Sequence, residues 1–130
     1  MTDETSAHVL VVDDDETIRR LLTHRLENAG FTVTTYPDGR AAADALDAGD
    51  VDPDLCLLDV MMPRLNGTRL LRMIRNGELA VDPALPVVML TSRGRESDVL
   101  EGFESGADDY VTKPFSGAAL VARVTRYVDD

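Results

Sequence analysis

The 130-residue chain sets 24 acidic against 13 basic residues, a formal charge of −11 at pH 7, with 44% hydrophobic residues. That length suits one compact domain, and that charge disfavours direct contact with nucleic acid or an anionic membrane. No run approaches the roughly 20 apolar residues that span a bilayer, and residues 1–7 have neither the basic start nor the apolar stretch of a signal peptide. The single cysteine, Cys56, rules out an internal disulfide. It stands inside the apolar run Leu55–Leu58, which predicts a buried, inert thiol and a reducing, cytoplasmic setting. Twelve of the thirteen bases are Arg, and Lys113 is the only Lys. Such an Asp-rich, Lys-poor composition fits a salt-adapted source, and equally a GC-rich genome.

Residues 1–7 read as an extended or disordered lead-in, and 8–128 as the domain. His8–Val12 is a continuous apolar run, the pattern of a strand covered on both faces. From Glu16 to Ala29, residues Ile18, Leu21, Leu22, Arg25, Leu26 and Ala29 recur at helical steps, closed by Gly30. Phe31–Tyr36 alternates as a second strand. Asp38 is placed to cap an Ala-rich helix ending near Gly49. Leu55–Asp59 is the third strand, and a helix is predicted over Thr68–Arg75. After a loop marked by Gly77, Pro83 and Pro86, strand four runs over Pro86–Thr91. Helix four is predicted over Ser97–Ser105, stopped by Gly106, with strand five at Asp109–Lys113. Ser116 caps a last helix, carrying Leu120, Val124 and Tyr127 on one side. This strict β–α alternation predicts an α/β fold of five parallel strands with helices on both faces.

In such sheets the ligand crevice lies beyond the carboxyl ends of the strands. The residues standing there are Asp13 and Asp14, Asp59, Thr91 and Lys113. Like charges about 4 Å apart repel by roughly 4 kcal/mol at an effective dielectric near 20. Clustered carboxylates therefore raise their pKa values or hold a cation, and an all-oxygen set suits Mg²⁺. A metal-bound carboxylate beside an ammonium and a hydroxyl is suited to phosphoryl transfer through an acyl phosphate.

Four segments carry a resemblance: VVDDDE (Val11–Glu16), LLDVMMPRLNG (Leu57–Gly67), PVVMLTS (Pro86–Ser92) and GADDYVTKPF (Gly106–Phe115). In order and spacing they are similar to the signature segments of the receiver domains of two-component response regulators, the chemotaxis response regulator among them. The resemblance implies a flavodoxin-like (βα)5 sheet of order 2-1-3-4-5. It implies Asp59 as phosphoacceptor, with Mg²⁺ (Mn²⁺ as a substitute) on Asp13, Asp14, Asp59 and the backbone carbonyl of Met61. Lys113 becomes the phosphate's counter-charge, joined by a cis peptide to Pro114. Thr91 becomes a switch hydroxyl, and Tyr110 the aromatic side chain that follows it. Pro63 and Gly67 match the turn into helix three, while Met61 and Arg93 occupy the positions that tune phosphate lifetime. The implied partner is a sensor histidine kinase or phosphotransfer protein. The implied output is a changed surface of helix four, strand five and helix five, without turnover of a separate substrate. Self-association through that surface is also implied, with Asp109 and Arg123 as one ion pair; Val99 and Ala119 stand where many such dimers place a charged pair.

Plainer roles compete at several positions. Asp15 or Glu16 suits a helix cap. His8 and His24 read as structural or exposed rather than phosphorylated. Met61, Met62, Met73 and Met89 read as core or loop residues, and Arg69, Arg72 and Arg75 as a solvated face. Two rival functions remain. Asp13, Asp15 and Thr17 form a DxDxT pattern resembling the first motif of haloacid-dehalogenase-like phosphatases, with Asp13 as nucleophile. A receiver-like module that binds partners without phosphorylation is the other.

Overall fold

In the computed structural model, which describes residues 7–92 and 104–128, five parallel strands form one sheet of order β2-β1-β3-β4-β5. The strands are β1 (His8–Val12), β2 (Thr32–Tyr36), β3 (Leu55–Asp59), β4 (Val87–Thr91) and β5 (Asp109–Thr112). The helices are α1 (Glu16–Asn28), α2 (Gly39–Ala48), α3 (Gly67–Arg75) and a C-terminal helix (Gly117–Val128). The predicted helix over Ser97–Ser105, with Arg93 and Val99, falls almost wholly outside the described residues, as do residues 1–6.

Strand periodicity sorts the apolar side chains into two cores, because successive residues point to opposite faces. Leu10, Val12, Cys56, Leu58, Val87 and Met89 pack with Leu46 of α2 and with Leu70, Leu71 and Ile74 of α3. Their neighbours Val9, Val11, Leu55, Leu57, Val88 and Leu90 pack with Leu22 and Leu26 of α1 and with Leu120 and Val124 of the C-terminal helix. Burial on both faces explains why β1, β3 and β4 are continuous apolar runs. The edge strands β2 and β5 are only partly buried, in keeping with their Thr and Tyr content. Cys56 lies at the centre, and burial pushes its thiol up to about 12.

Local signals set the boundaries. Asp15 caps α1 by accepting from the Thr17 and Ile18 amides, and Asp38 caps α2 through Ala41. Gly49 closes α2 in the left-handed region at φ +77°. Asn66, which the sequence did not single out, caps α3 through the Arg69 amide, so that helix begins at Gly67. On α1 the buried stripe is narrower than the periodicity predicts. Leu22 and Leu26, one turn apart, face the sheet, whereas Leu21 is 39% exposed. Arg25 is also exposed and lies across Gly117, where an added Cβ would stand 2.7 Å from its Nε.

Candidate functional site

Register brings the polar strand ends together. Val12 pairs with Leu58, so Asp13 comes level with Asp59 on the adjacent strand. Asp59 pairs with Leu90, one residue before Thr91, and Thr91 pairs with Thr112, one before Lys113. Four side chains far apart in sequence are thereby placed at one edge of the sheet.

Asp13 is wholly buried, and both its carboxylate oxygens are engaged. Oδ1 accepts from the Asp15 amide at 2.9 Å, and Oδ2 accepts from Lys113 Nζ at 2.9 Å. The same ammonium lies 3.7 Å from Asp59 Oδ1, so Lys113 sits between the two carboxylates. Asp59 Oδ1 also accepts from the Met61 amide at 3.4 Å. Asp14 is exposed, yet Asp13, Asp14 and Asp59 each offer a carboxylate oxygen, all within 4.8 Å of one another. The donors are all oxygen, and one of the three acids faces solvent; that suits a hard divalent cation which keeps some of its water.

Titration follows from this crowding. Burial, then the charges of Asp13 and Asp14, push Asp59 up to about 7 against the opposing pull of Lys113 and the Met61 amide. Burial works against the charge on Lys113. The hydrogen bond and charge of Asp13, with Asp59 and Asp15 behind it, outweigh that effect and hold its pKa above the usual 10.5.

The loop after Asp59 is held by close backbone packing. Its Val60 amide donates to Leu90 O at 2.9 Å, and the Gly67 amide returns to Val60 O at 3.0 Å. A methyl group on Gly67 would collide with the Asp59 carbonyl, and one on Gly39 with the Leu65 carbonyl. Both helix N-termini therefore press on the loop, which only residues without a Cβ permit. Between them, Leu65 N–H donates to Pro63 O at 2.7 Å around Arg64, whose φ is +71°. Met62 and Leu65 are buried anchors, while Met61 is 54% exposed beside the acids.

On the opposite side, Thr91 is wholly buried at the end of β4, and its carbonyl accepts the Lys113 amide at 2.7 Å. The Lys113–Pro114 peptide is cis. Tyr110 stands level with Met89, half-buried against the core on the α2–α3 side. Asp109 and Arg123, read from sequence as an ion pair between copies, meet within one chain at 2.7 Å. Arg93 lies outside the described residues.

Two arginines matter more than the sequence indicated. Arg19 reaches back six residues to donate to the Asp13 carbonyl at 2.7 Å, fixing the turn that carries two of the acids. Arg75, read as part of a solvated face, has a side chain only 19% exposed and donates to four oxygens across two loops. Nothing in the spacing separates it from Arg69 and Arg72, which are exposed.

A family model described as the response regulator receiver domain matches residues 9–125. The chain belongs to that family. It is 48% identical over 124 residues to the transcriptional regulatory protein CseB of Streptomyces coelicolor, an alignment covering 95% of this chain and 49% of CseB. It is 43% identical over 122 residues to the DNA-binding response regulator MtrA of Mycolicibacterium smegmatis, covering 94% and 50%. Among solved structures it resembles the receiver domain of the Francisella response regulator 1452, at a TM-score of 0.86 and 33% identity over 95% of this chain and 97% of that one. The BeF3-activated DrrB receiver domain is similar at a TM-score of 0.84 and 35% identity, covering 96% and 99%. The chain spans about half the length of the curated relatives it matches. A receiver domain is a phosphoacceptor in two-component signalling, and the phosphatase alternative falls. Its DxDxT pattern has a local explanation, since Asp15 is occupied in accepting the Thr17 amide as the cap of α1. Among the described residues no helix is long and apolar enough to cross a membrane.

Proposed function

We propose that Asp59 is the phosphoacceptor of this receiver domain, served by Mg²⁺ on Asp13, Asp14, Asp59 and the Met61 carbonyl. The observation that carries the reading is the position of Lys113 Nζ, 2.9 Å from Asp13 and 3.7 Å from Asp59. When bound, the divalent ion supplies positive charge that offsets the three carboxylates and the oxygens of the phosphoryl group. The chain supplies the remaining parts. Asp59 attacks phosphorus through a carboxylate oxygen, the bond to the donor's imidazole nitrogen breaks, and an acyl phosphate forms. Lys113 meets a phosphoryl oxygen as a mobile point charge. Thr91 donates its hydroxyl to another, and Tyr110 moves toward the space the threonine leaves. Through that shift the strand-five side of the domain reports phosphorylation. Met61 and Arg93 offer no carboxylate or amide to orient an attacking water, which supports slow loss of the phosphate. The donor class is a phosphohistidine on a sensor kinase or phosphotransfer protein. The domain's own reaction is limited to gaining and losing this group.

Incubation with acetyl phosphate and Mg²⁺ should add the mass of one phosphoryl group, mapped after reductive trapping to the peptide containing Asp59. An unaltered mass would instead favour a phosphorylation-independent interaction module.

The pKa of Asp59 gives a second test. Folding raises it from 3.8 to about 7, so the folded state holds a proton that the unfolded chain has lost. Stability of the metal-free domain should therefore fall as pH rises between those two values, with the full cost present above about 7. The rise in Tm on adding Mg²⁺ should grow across the same interval, because ligation requires the ionised carboxylate. A Tm increment independent of pH from 5 to 8 would count against ligation by Asp59.

A further inference from the structure

Among the described residues the edge strand β5 pairs only with β4, yet it carries Tyr110 and leads directly into Lys113. Its attachment sets how often the proposed site is complete. The start of the strand is held by a side chain from outside the sheet. Arg75, the last residue of α3, donates Nε to Gly106 O at 2.9 Å and Nη2 to Asp108 Oδ2 at 3.0 Å. Its Nη1 donates to Pro83 O at 2.8 Å and Leu85 O at 2.6 Å, on the loop leading into β4. Asp108 completes the junction. Its Oδ2 also accepts the Val87 amide at 2.8 Å, while its own amide donates to Val87 O at 2.8 Å. One guanidinium thus spans the loops feeding both strands at the point where their ladder begins. Gly106, at φ +107°, makes room for it, since a Cβ there would stand 3.0 Å from Arg75 Cγ.

Two side-chain contacts from the C-terminal helix are weaker. Arg123 pairs with Asp109, but its side chain is 46% exposed, and exposed ion pairs contribute little. Tyr127 donates its hydroxyl to Asp108 O at 3.0 Å in an exposed setting. Charge-assisted bonds from a half-buried guanidinium to a carboxylate and three carbonyls are the stronger restraint.

We infer that Arg75 is a positioning residue that latches the edge strand β5 onto β4, and through it holds Lys113 against Asp13 and Asp59. Without the latch, β5 opens as a local unit while β1 and β3, at the centre of the sheet, remain closed. The acids Asp13, Asp14 and Asp59 stand at the ends of those central strands, so metal binding does not depend on the latch. Phosphoryl transfer does, because opening withdraws the ammonium. This last consequence rests on the phosphoacceptor reading; the latch itself does not.

The test is amide hydrogen exchange on the wild type, Arg75→Met and Arg75→Lys, without metal. Arg75→Met should speed exchange at the Lys113 amide, which donates to Thr91 O, and at Val111, two residues before it on the same side of the strand, by about tenfold or more, the loss expected from removing charge-assisted hydrogen bonds. Val9–Val12 and Leu55–Leu58 should keep wild-type rates, and Arg75→Lys should restore β5 in part. With acetyl phosphate, Arg75→Met should be modified more slowly at saturating Mg²⁺ without weaker Mg²⁺ binding. A rise in exchange shared equally by all strands, or unchanged exchange in β5, overturns the inference. If Arg75→Met does not fold, Asp108→Asn, which removes only the carboxylate charge, should show the same selective pattern. Loss of phosphorylation in the wild type would overturn the phosphoacceptor reading and leave the exchange result standing.

Discussion

Asp59→Asn should abolish phosphorylation by acetyl phosphate, lowering the rate by at least about a thousandfold, and at the same time raise the Tm of the metal-free domain at pH 8. The first effect follows from nucleophilicity, because a neutral amide does not attack phosphorus as a carboxylate does. The second follows from the crowding of charge. Asp59 ionises only near pH 7 because burial and the charges of Asp13 and Asp14 oppose its anion. Above that pH the folded state carries a cost that the amide does not, and its relief should stabilise the domain by about 1–2 kcal/mol. Intact-mass measurement and thermal melting report the two outcomes independently. A stabilised variant that still gained a phosphoryl group at the wild-type rate would move the acceptor role to another acid. One destabilised at pH 8 would show that the repulsion had been misjudged.

Lys113→Met should slow phosphorylation by about a hundredfold, the loss typical of removing one group that stabilises developing negative charge. Met keeps the apolar stem and removes the ammonium, so packing at the half-buried position is largely retained. The variant should also be less stable at pH 7, by about 2–3 kcal/mol without metal, because the wholly buried Asp13 loses its direct counter-charge. The sign is fixed by linkage. Folding raises the pKa of Lys113, so its stabilising contribution is fully present below 10.5 and is lost only as pH climbs through the higher folded value. Neutral pH lies inside that region. Mg²⁺ should recover part of the stability, since a divalent ion relieves the same repulsion, but not the rate. Equal phosphorylation rates for wild type and variant would remove Lys113 from the transfer.

How much of this was legible in the chain differs from element to element. The order of the sheet needed the resemblance, but the existence of its strands did not, because β1, β3 and β4 are apolar on both faces and announce themselves as runs. The cap at Asp38 was equally plain, and that of α1 was narrowed to Asp15 or Glu16, since caps are local contacts between residues two or three apart. The face of α1 was overestimated at Leu21 and Arg25. Periodicity gives a helix's apolar stripe without saying how much of it the neighbouring layer covers. Asn66 is a capping residue by type, but in the sequence Pro63 and Gly67 are the stronger local signals of that turn, and the bond to the Arg69 amide exists only in the folded chain.

The sequence by itself determined which chemistry is on offer: three acids, one hydroxyl and the single lysine, each placed immediately at or after a strand. Strand length and alternation are local properties, and they suffice to put those groups on one edge. What only the tertiary structure decided is how they are shared out. Lys113 bonds Asp13 and stands further from Asp59, although β3 lies nearer to β5 in the sheet than β1 does. Arg19 braces a backbone carbonyl, and Arg75, unlike the arginines three and six residues before it, turns inward to join two loops. A guanidinium's partner depends on which distant carbonyls the folded chain brings within about 3 Å, a condition that no spacing in one dimension encodes.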